Sequence, residues 1–312
     1  MKRGLTLALV VLLAALTGAC DQGRPAGTPT PTAPPFYQGQ LAFNSNRDGH
    51  YEIWLVNTDG SGLRQLTDGG VAERHGPAWS PDGTRIAYYV QTRMPYSAIP
   101  EDIMILQVDK PGVDPIAVTR TQLIVDRDPA WSPDGQTIAF CADFKLMVVN
   151  VDGSNPRAVP VRDDYKYYTP AWSPDGLRLA VAVQLSNTDY GIFVMNSDGS
   201  NPIRVTQGTD PHLDPAWSPD GSTILFANYG DRQIYAVPAP PSEGFKELPK
   251  ATKLTTVGVN EEPAWSPDGT TIAYTHTEGQ NRDIWAMYKD GAGARAVTRE
   301  AGEDVAPAWR PR

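Results

Sequence analysis

Short runs of apolar residues alternate with turn residues along most of this chain of 312 residues. The stretch from residue 263 to residue 298 shows the pattern in full. Its apolar runs centre on Ala264-Trp265, Ile272-Ala273-Tyr274, Ile284-Trp285 and Ala296-Val297. Short runs rich in β-branched and aromatic residues, bounded by turn residues, indicate strands rather than helices. The stretch therefore predicts a four-stranded antiparallel meander.

The same unit recurs with nearly regular spacing. The phrase Pro-Ala-Trp-Ser-Pro-Asp-Gly occurs five times, and a shortened copy lies at residues 307–312. In Ser-Pro-Asp-Gly, proline favours the φ angle of the second position of a type I turn, and glycine accepts a positive φ at the fourth. The motif tryptophans are Trp79, Trp131, Trp172, Trp217, Trp265 and Trp309. They are 52, 41, 45, 48 and 44 residues apart, and a period of about 45 residues predicts one β-propeller blade per unit.

The repeats predict an all-β, six-bladed β-propeller of four-stranded antiparallel blades over residues 40–312. The chain is out of phase with the blades, because it begins at a second strand, Leu41-Ala42-Phe43, and ends at a first strand, Ala308-Trp309. We expect this C-terminal strand to complete the N-terminal blade as its inner strand, which leaves no open sheet edge. The six motif tryptophans are expected to pack between blades, because repeated units bury a shared core.

The Trp-Ser-Pro-Asp-Gly turn, the Ile-Ala-Phe strand that follows it and the Asp-Gly hairpin resemble the repeats of the TolB-type six-bladed propeller. The resemblance covers residues 40–312 and implies the same fold. TolB also carries an N-terminal α/β domain that engages the Tol machinery, whereas the residues before the repeats are interpreted here as a tether. The resemblance therefore does not carry over the whole Tol role. Similar propellers also serve as accessory domains of serine peptidases.

The first forty residues have the composition of an export segment. Lys2 and Arg3 precede an apolar run from Leu5 to Leu16, which predicts a signal peptide over residues 1–19. The sequence Thr17-Gly18-Ala19-Cys20 resembles the bacterial lipobox, which implies lipidation of Cys20. Residues 20–39 are rich in proline and threonine and predict an extended tether. We expect an exported protein, anchored to a bacterial membrane by lipid alone and facing the periplasm or the cell-wall space; an ordinary secretion signal is the alternative.

The charge balance excludes one class of partner. The chain has 27 Lys and Arg residues against 36 Asp and Glu residues, a net charge of −9. Binding to the phosphate backbone of nucleic acid needs clustered basic residues, so nucleic acid is not an expected partner. Cations and basic protein surfaces suit this charge better. The four histidines show no metal-ligand spacing, and Cys141 is expected to be a small buried apolar residue.

An antiparallel meander sorts its connections between two faces of the propeller. The Ser-Pro-Asp-Gly and Asn-x-Asp-Gly turns lie on one face, here called the turn face. The loops between second and third strands and between blades lie on the other, here called the variable face. Because the turns repeat and the loops do not, we expect binding on the variable face.

Acidic residues concentrate where the variable face meets the predicted channel. Asp128, Asp214 and Glu262 stand three residues before a motif tryptophan, a position that the family resemblance implies lies at the channel mouth. Further candidate acids are Asp126, Glu261, Glu303 and Asp304. These carboxylates could hold a divalent cation or the basic side chains of a partner; alternatively they cap strand ends and solvate loops. No cofactor is expected, the metal ligands stay undefined, and a divalent cation in the channel is left open.

Tyrosines form a second candidate set on the same face. Their rings could stack on sugars or anchor a protein partner; the alternative is local packing of the loops. The set is Tyr165, Tyr167, Tyr168, Tyr190 and Tyr229.

The sequence contains no recognisable catalytic motif. It lacks a Gly-x-Ser-x-Gly elbow, a His-Glu-x-x-His helix and a phosphate-binding glycine loop. We therefore expect a non-catalytic, monomeric recognition module or scaffold with a protein partner, acting in envelope assembly, transport or sensing. Two alternatives stay open, a metal-dependent propeller hydrolase or lyase and a carbohydrate- or peptidoglycan-binding module.

Overall fold

The structure is a computed structural model that describes residues 35–68, 72–92, 102–110, 112–120, 125–299 and 302–312. The predictions on residues 1–34, including the signal peptide and the lipidation of Cys20, lie outside the described residues. Within the described ranges, 24 strands form six four-stranded antiparallel sheets. A search of these ranges finds no helix with the length and apolar character of a membrane span.

Each sheet is one blade, and strands are numbered along the chain. Blade 1 consists of β1 (Gln40–Ser45), β2 (Glu52–Asn57), β3 (Arg64–Gln65) and β24 (Asp304–Trp309). Blade 2 consists of β4 (Ala72–Trp79), β5 (Arg85–Thr92), β6 (Ile103–Gln107) and β7 (Ile116–Ala117). Blade 3 consists of β8 (Asp126–Trp131), β9 (Thr137–Ala142), β10 (Lys145–Asn150) and β11 (Arg157–Ala158).

The remaining blades follow the same order. Blade 4 consists of β12 (Lys166–Trp172), β13 (Arg178–Ser186), β14 (Asp189–Asn196) and β15 (Ile203–Arg204). Blade 5 consists of β16 (His212–Trp217), β17 (Thr223–Asn228), β18 (Gln233–Pro238) and β19 (Thr252–Lys253). Blade 6 consists of β20 (Val259–Trp265), β21 (Thr271–Glu278), β22 (Asn281–Tyr288) and β23 (Arg295–Ala296).

The six blades close into a ring. The inner strands β4, β8, β12, β16, β20 and β24 each contact the next, and β24 contacts β4. The C-terminal strand β24 pairs antiparallel with β1, with Trp309 opposite Leu41. The predicted six-bladed propeller and its closure by the C-terminal strand are therefore confirmed. Closure in this way pairs the inner edge of the N-terminal sheet.

Six apolar clusters fill the spaces between blades, one at each interface. The motif tryptophans lie in or against these clusters, with Trp79, Trp131, Trp217 and Trp309 buried and the other two half-buried. Four of the indoles also donate a hydrogen bond across the interface. Trp131 Nε1, for example, lies 3.0 Å from the carbonyl oxygen of Ala78 in blade 2. The tryptophans therefore pack neighbouring blades together, and the four hydrogen bonds fix the position of one blade against the next. Cys141 is also buried between blades 3 and 4, and burial raises the pKa of its thiol.

The turn face is built from turns that satisfy their own polar groups. In blade 3 the amide of Gly135 donates to the carbonyl of Ser132 over 2.9 Å, as a type I turn requires. The Ser132 hydroxyl donates to Asp134 Oδ1 over 2.5 Å, and the amide of Gln136 donates to the same oxygen over 3.0 Å. The same bonds recur in the other full copies of the motif, so each turn is held locally.

Two departures from the repeat appear on this face. Residues 239–251 form a long connection between β18 and β19, where the other blades have a short turn. Phe36 and Tyr37, placed in the tether by the sequence, pack against blade 6. Phe36 is 4% exposed and its ring lies 4.5 Å from that of Tyr288. The compact unit therefore begins at Pro35 rather than at residue 40.

Candidate functional site

A ring of backbone irregularities surrounds the axis of the propeller on its variable face. Every inner strand shifts register with its neighbour within a few residues before its motif tryptophan. The residue three positions before each tryptophan has a φ between 42° and 61°. We call these residues the bulge ring: Gly76, Asp128, Thr169, Asp214, Glu262 and Ala306. A positive φ costs a residue other than glycine about 1–2 kcal/mol, so this conformation is specified by the surrounding structure.

The bulge ring lines one cavity of about 270 Å³ at the centre of the variable face. All six ring residues contribute, together with the prolines that follow five of them and with Asn44, His75, Tyr89 and Val305. The sequence analysis placed Asp128, Asp214 and Glu262 at a channel mouth, and the structure brings these three together here. Three carboxyl groups in one small cavity make it a candidate site for a positively charged group.

Some ring side chains also link neighbouring blades. A bulge leaves the backbone amide of its residue outside the strand ladder. Thr169 Oγ1 accepts the amide of Asp214 over 3.1 Å, and Glu262 Oε2 accepts the amide of Ala306 over 2.8 Å. Asn44 Oδ1 likewise accepts the amide of Gly76 over 3.0 Å. Glu262 therefore accepts a backbone amide that the bulge of the neighbouring blade leaves unpaired.

The cavity disfavours ionisation of two of its acids. Burial raises the pKa of the Asp214 carboxyl well above its usual range, and the neighbouring Glu262 and Asp128 carboxylates raise it further. Burial also raises the pKa of Glu262, although hydrogen bonds from Thr275 and Ala306 oppose that shift. The Tyr229 hydroxyl donates to Asp214 Oδ2 over 3.1 Å. A proton or another cation in the cavity would relieve the repulsion between these acids.

The other four candidate acids do not share this cavity. Asp304 is fully buried, and Arg47 Nη2 lies 2.9 and 2.8 Å from its two oxygens. Arg282 bridges Glu261 and Glu303, at 3.4 and 3.2 Å. Asp126 is fully buried and lines a separate cavity between blades 2 and 3. The seven candidate acids are therefore three cavity acids and four acids with other surroundings, rather than one carboxylate ring.

The strand register explains why these residues differ. Side chains alternate between the two sides of a strand, and a bulge shifts that alternation, so a residue two positions before the bulge ring need not face the cavity. Residues two positions before the bulge ring are buried in five of the six blades: Asp126, Tyr167, His212, Asn260 and Asp304. When the repeats are aligned on their motif tryptophans, these buried positions fall in one column. Nearness to a tryptophan in the sequence does not by itself reveal them.

The candidate tyrosines also divide by position. Tyr167 is 4% exposed and its hydroxyl donates to the carbonyl of Arg162, so little of its ring is open to a ligand. Tyr165 is half-buried beneath the guanidinium of Arg162. Tyr168 and Tyr190 meet through the side chain of Gln184, and Tyr229 faces the cavity acids.

Two aromatic residues of this face were not identified from the sequence. His75 lines the cavity, where its ring lies 4.9 Å from that of Tyr51 and 5.4 Å from that of Tyr89. Its place directly before a bulge-ring residue is a signal that the repeat alignment provides. Phe144 is 45% exposed on the short hairpin between β9 and β10, and no repeat pattern points to it.

Metal binding was left undefined by the sequence. Among the described residues, no group of three or more His, Cys, Asp and Glu side chains has the arrangement of a metal site. The three cavity acids therefore do not form a ready ligand set in this conformation.

Known proteins resemble this chain in sequence. The family model described as the TolB beta propeller domain matches residues 84–247. A TolB homolog of Chlorobium luteolum is 30% identical over 126 residues, which cover 39% of this chain and 27% of that protein. Dipeptidyl-peptidase 5 of Porphyromonas endodontalis is 33% identical over 95 residues, 30% of this chain and 12% of that protein. The chain thus matches only a minor part of the length of these relatives.

Solved structures share the fold. TolB from Acinetobacter baumannii superposes with a TM-score of 0.71 at 19% identity, over 88% of this chain and 67% of that chain. An oligogalacturonate lyase in complex with manganese superposes with a TM-score of 0.55 at 15% identity, over 84% and 74%. Since these identities are low, the superpositions establish the fold alone. The family match over more than half of the chain establishes more: this protein belongs to the TolB β-propeller family.

Proposed function

We propose that this protein is a non-catalytic recognition module that binds a protein partner on its variable face. The observation that carries the proposal is the central cavity, where Asp128, Asp214 and Glu262 face one another. A lysine or arginine side chain of a partner would offset the repulsion from Glu262 and Asp128 that, after burial, raises the pKa of Asp214. The membership in a family that includes TolB agrees with a protein-binding role.

The turn face offers less for recognition. Its aspartates already accept hydrogen bonds from their own turns, as Asp134 does from Ser132 and Gln136. By contrast, the variable face presents the cavity and a rim with Arg232 and Arg282, which pair with Glu261. A partner that places a basic side chain in the cavity could also exchange contacts with this charged rim.

Export and lipid anchoring belong to the same proposal. The folded unit begins on the turn face, because the amide of Tyr37 donates to Thr271 Oγ1, next to a turn-face turn, over 3.0 Å. Phe36 and Tyr37 therefore lie on the face opposite the proposed binding surface. A lipid on Cys20 would anchor the protein to a membrane outside the cytoplasm.

Cross-linking of the full-length protein in its native membranes tests the proposal. We expect a discrete protein partner that is lost when the cavity is neutralised by the double substitution Asp128→Asn and Asp214→Asn. The matched control is Asp114→Asn with Glu243→Gln, which removes two exposed carboxylates from the turn face. Recovery of no partner, or equal recovery by the cavity variant, would contradict the proposal.

A divalent cation is the second candidate occupant of the cavity. The three carboxyl groups supply the oxygen ligands that hard cations prefer. We expect the purified protein to contain no stoichiometric divalent ion, because the cavity acids do not converge as a ligand set among the described residues. Elemental analysis checks this expectation, and one bound ion per chain would favour the metal-dependent alternative.

A further inference from the structure

The hairpin between β9 and β10 places an aromatic residue where glycine is usual. Asp143 and Phe144 have φ values of 46° and 64°, and they form the two-residue connection between the strands. Turns with positive φ at both central residues are dominated by Asn-Gly and Asp-Gly, because a side chain is strained at the second of them. The Phe144 side chain is nevertheless 45% exposed, so burial offsets only part of the strain.

Neighbouring groups hold the Phe144 ring in one position. The ring of Tyr168 packs against it edge to face, with centroids 5.3 Å apart and planes at 65°. The Lys166 ammonium lies 5.0 Å from the centroid of the Phe144 ring. The amide of Tyr167 donates to the carbonyl of Phe144 over 2.9 Å, which ties the hairpin to blade 4. The exposed part of the ring is therefore presented by a constrained hairpin.

Side chains with hydrogen-bonding groups lie next to these two aromatic rings. The Tyr168 hydroxyl donates to Gln184 Oε1 over 3.0 Å, and Gln184 Nε2 donates to the Tyr190 hydroxyl over 2.9 Å. We call Phe144, Tyr168, Gln184 and Tyr190 the aromatic platform. Thr169, the next residue after Tyr168, lines the central cavity together with Asp128. The platform therefore borders a cavity lined by carboxyl and hydroxyl groups.

We propose that the aromatic platform binds a neutral oligosaccharide. A pyranose ring has an apolar C–H face that stacks on an aromatic ring and hydroxyl groups that need amide or carboxylate partners at its edge. Phe144 and Tyr168 supply the stacking surface, and Gln184 supplies the amide. The three acids of the adjoining cavity outnumber the one ammonium group at the platform, that of Lys166, so an anionic sugar such as a uronate is disfavoured.

The composition of the platform favours a sugar over a protein partner. The cores of protein interfaces are depleted in charged residues, whereas the Lys166 ammonium lies over the platform. This site goes beyond the proposed protein-binding role and does not depend on it.

Calorimetric titration of the full-length protein with chitotetraose, with trigalacturonate as the anionic comparison, tests the proposal. We expect saturable binding of chitotetraose and none, or at least tenfold weaker binding, of trigalacturonate. Phe144→Gly should weaken chitotetraose binding at least tenfold without lowering the unfolding temperature, because glycine relieves the positive φ. Tyr168→Ala should weaken binding as well. Leu177→Ala, which trims a side chain that is 67% exposed on the turn face, should leave it unchanged.

Three results would overturn the sugar site. They are no saturable binding of chitotetraose, unchanged binding by Phe144→Gly, or tighter binding of trigalacturonate. If Phe144→Gly loses a cross-linked protein and the wild type binds no sugar, the platform is a protein contact instead. Failure of the cavity substitutions in the cross-linking experiment bears only on the proposed protein-binding function, so the two failures are distinguishable.

Discussion

The two faces of the propeller both depend on backbone positions with positive φ, but different residues occupy them. On the turn face the fourth position of each full motif copy is glycine, with φ from 65° to 71°. On the variable face five of the six bulge-ring residues are not glycine, with φ from 42° to 55°. Since glycine adopts this conformation without strain, the variable face retains side chains at a conformational cost. The side chains themselves are therefore what the bulge ring requires.

The same contrast governs the acids of the two faces. Hydrogen bonds from serine hydroxyls and backbone amides lower the pKa of Asp82, Asp134, Asp175 and Asp220 on the turn face, that of Asp220 to about 2. On the variable face, burial and like charges raise the pKa of Asp214, and burial raises that of Glu262. Carboxyl groups are thus held ionised by hydrogen bonds on the turn face and resist ionisation on the variable face.

The largest expected effect comes from breaking the blade packing that both faces share. Trp131→Ala should lower the free energy of unfolding by about 3–5 kcal/mol, because it leaves a cavity between blades 2 and 3. It also removes the hydrogen bond to Ala78. Trp172→Ala should cost less, since Trp172 is only half-buried. Denaturant unfolding followed by circular dichroism measures both; an equal cost for the two variants would contradict this account.

A smaller effect should follow from removing one turn-face carboxylate. Asp134→Ala deletes the acceptor of Ser132 and Gln136, and we expect a loss of about 1–2 kcal/mol because the turn is solvent-exposed. Asp134→Asn keeps an acceptor oxygen and should lose less. Unfolding at neutral pH compares the two variants, and an unchanged stability of Asp134→Ala would show that the turn holds without its side chain.

A substitution in the bulge ring should raise the free energy of unfolding instead of lowering it. Ala306 has a φ of 54° and a side chain with no hydrogen-bonding group, so Ala306→Gly removes strain and little else. We expect the free energy of unfolding to rise by about 0.5–1 kcal/mol, less than the full strain because glycine also gains freedom in the unfolded chain. A thermal unfolding midpoint below that of the wild type would indicate that the Ala306 methyl group is needed for packing.

The last and most diagnostic effect concerns pH. The folded state raises the pKa of Asp214, so the folded protein binds more protons than the unfolded chain as pH rises above about 4, and stability falls. Asp214→Asn should therefore gain stability relative to the wild type as pH rises from about 4 toward neutrality. Turn-face aspartates act in the opposite direction, because stability from Asp220 is lost as pH falls from about 4 to about 2. Unfolding midpoints measured across this range separate the two contributions.

Positional reasoning from the repeat located part of the candidate site. Asp128, Asp214 and Glu262 could be placed together because each stands at the same distance from a motif tryptophan, and the family resemblance implied that this position lies at the channel mouth. Glu261 and Asp304 were added because they are near in sequence, and the structure pairs both with arginines instead. A strand turns consecutive side chains to opposite sides, and a bulge shifts that alternation, so nearness in sequence does not determine which side chains meet.

The amino-acid sequence by itself determined the number of blades, the closing strand, the type I turns and the packing role of the tryptophans. These features follow from hydrogen bonds between residues a few positions apart and from a repeated apolar pattern. Short segments of the sequence specify both. Only the tertiary structure decided that Phe36 belongs to the propeller, that Arg47 pairs with Asp304 and that Phe144 meets Tyr168. Those contacts join residues from different blades or from opposite ends of the chain, and no local pattern specifies them.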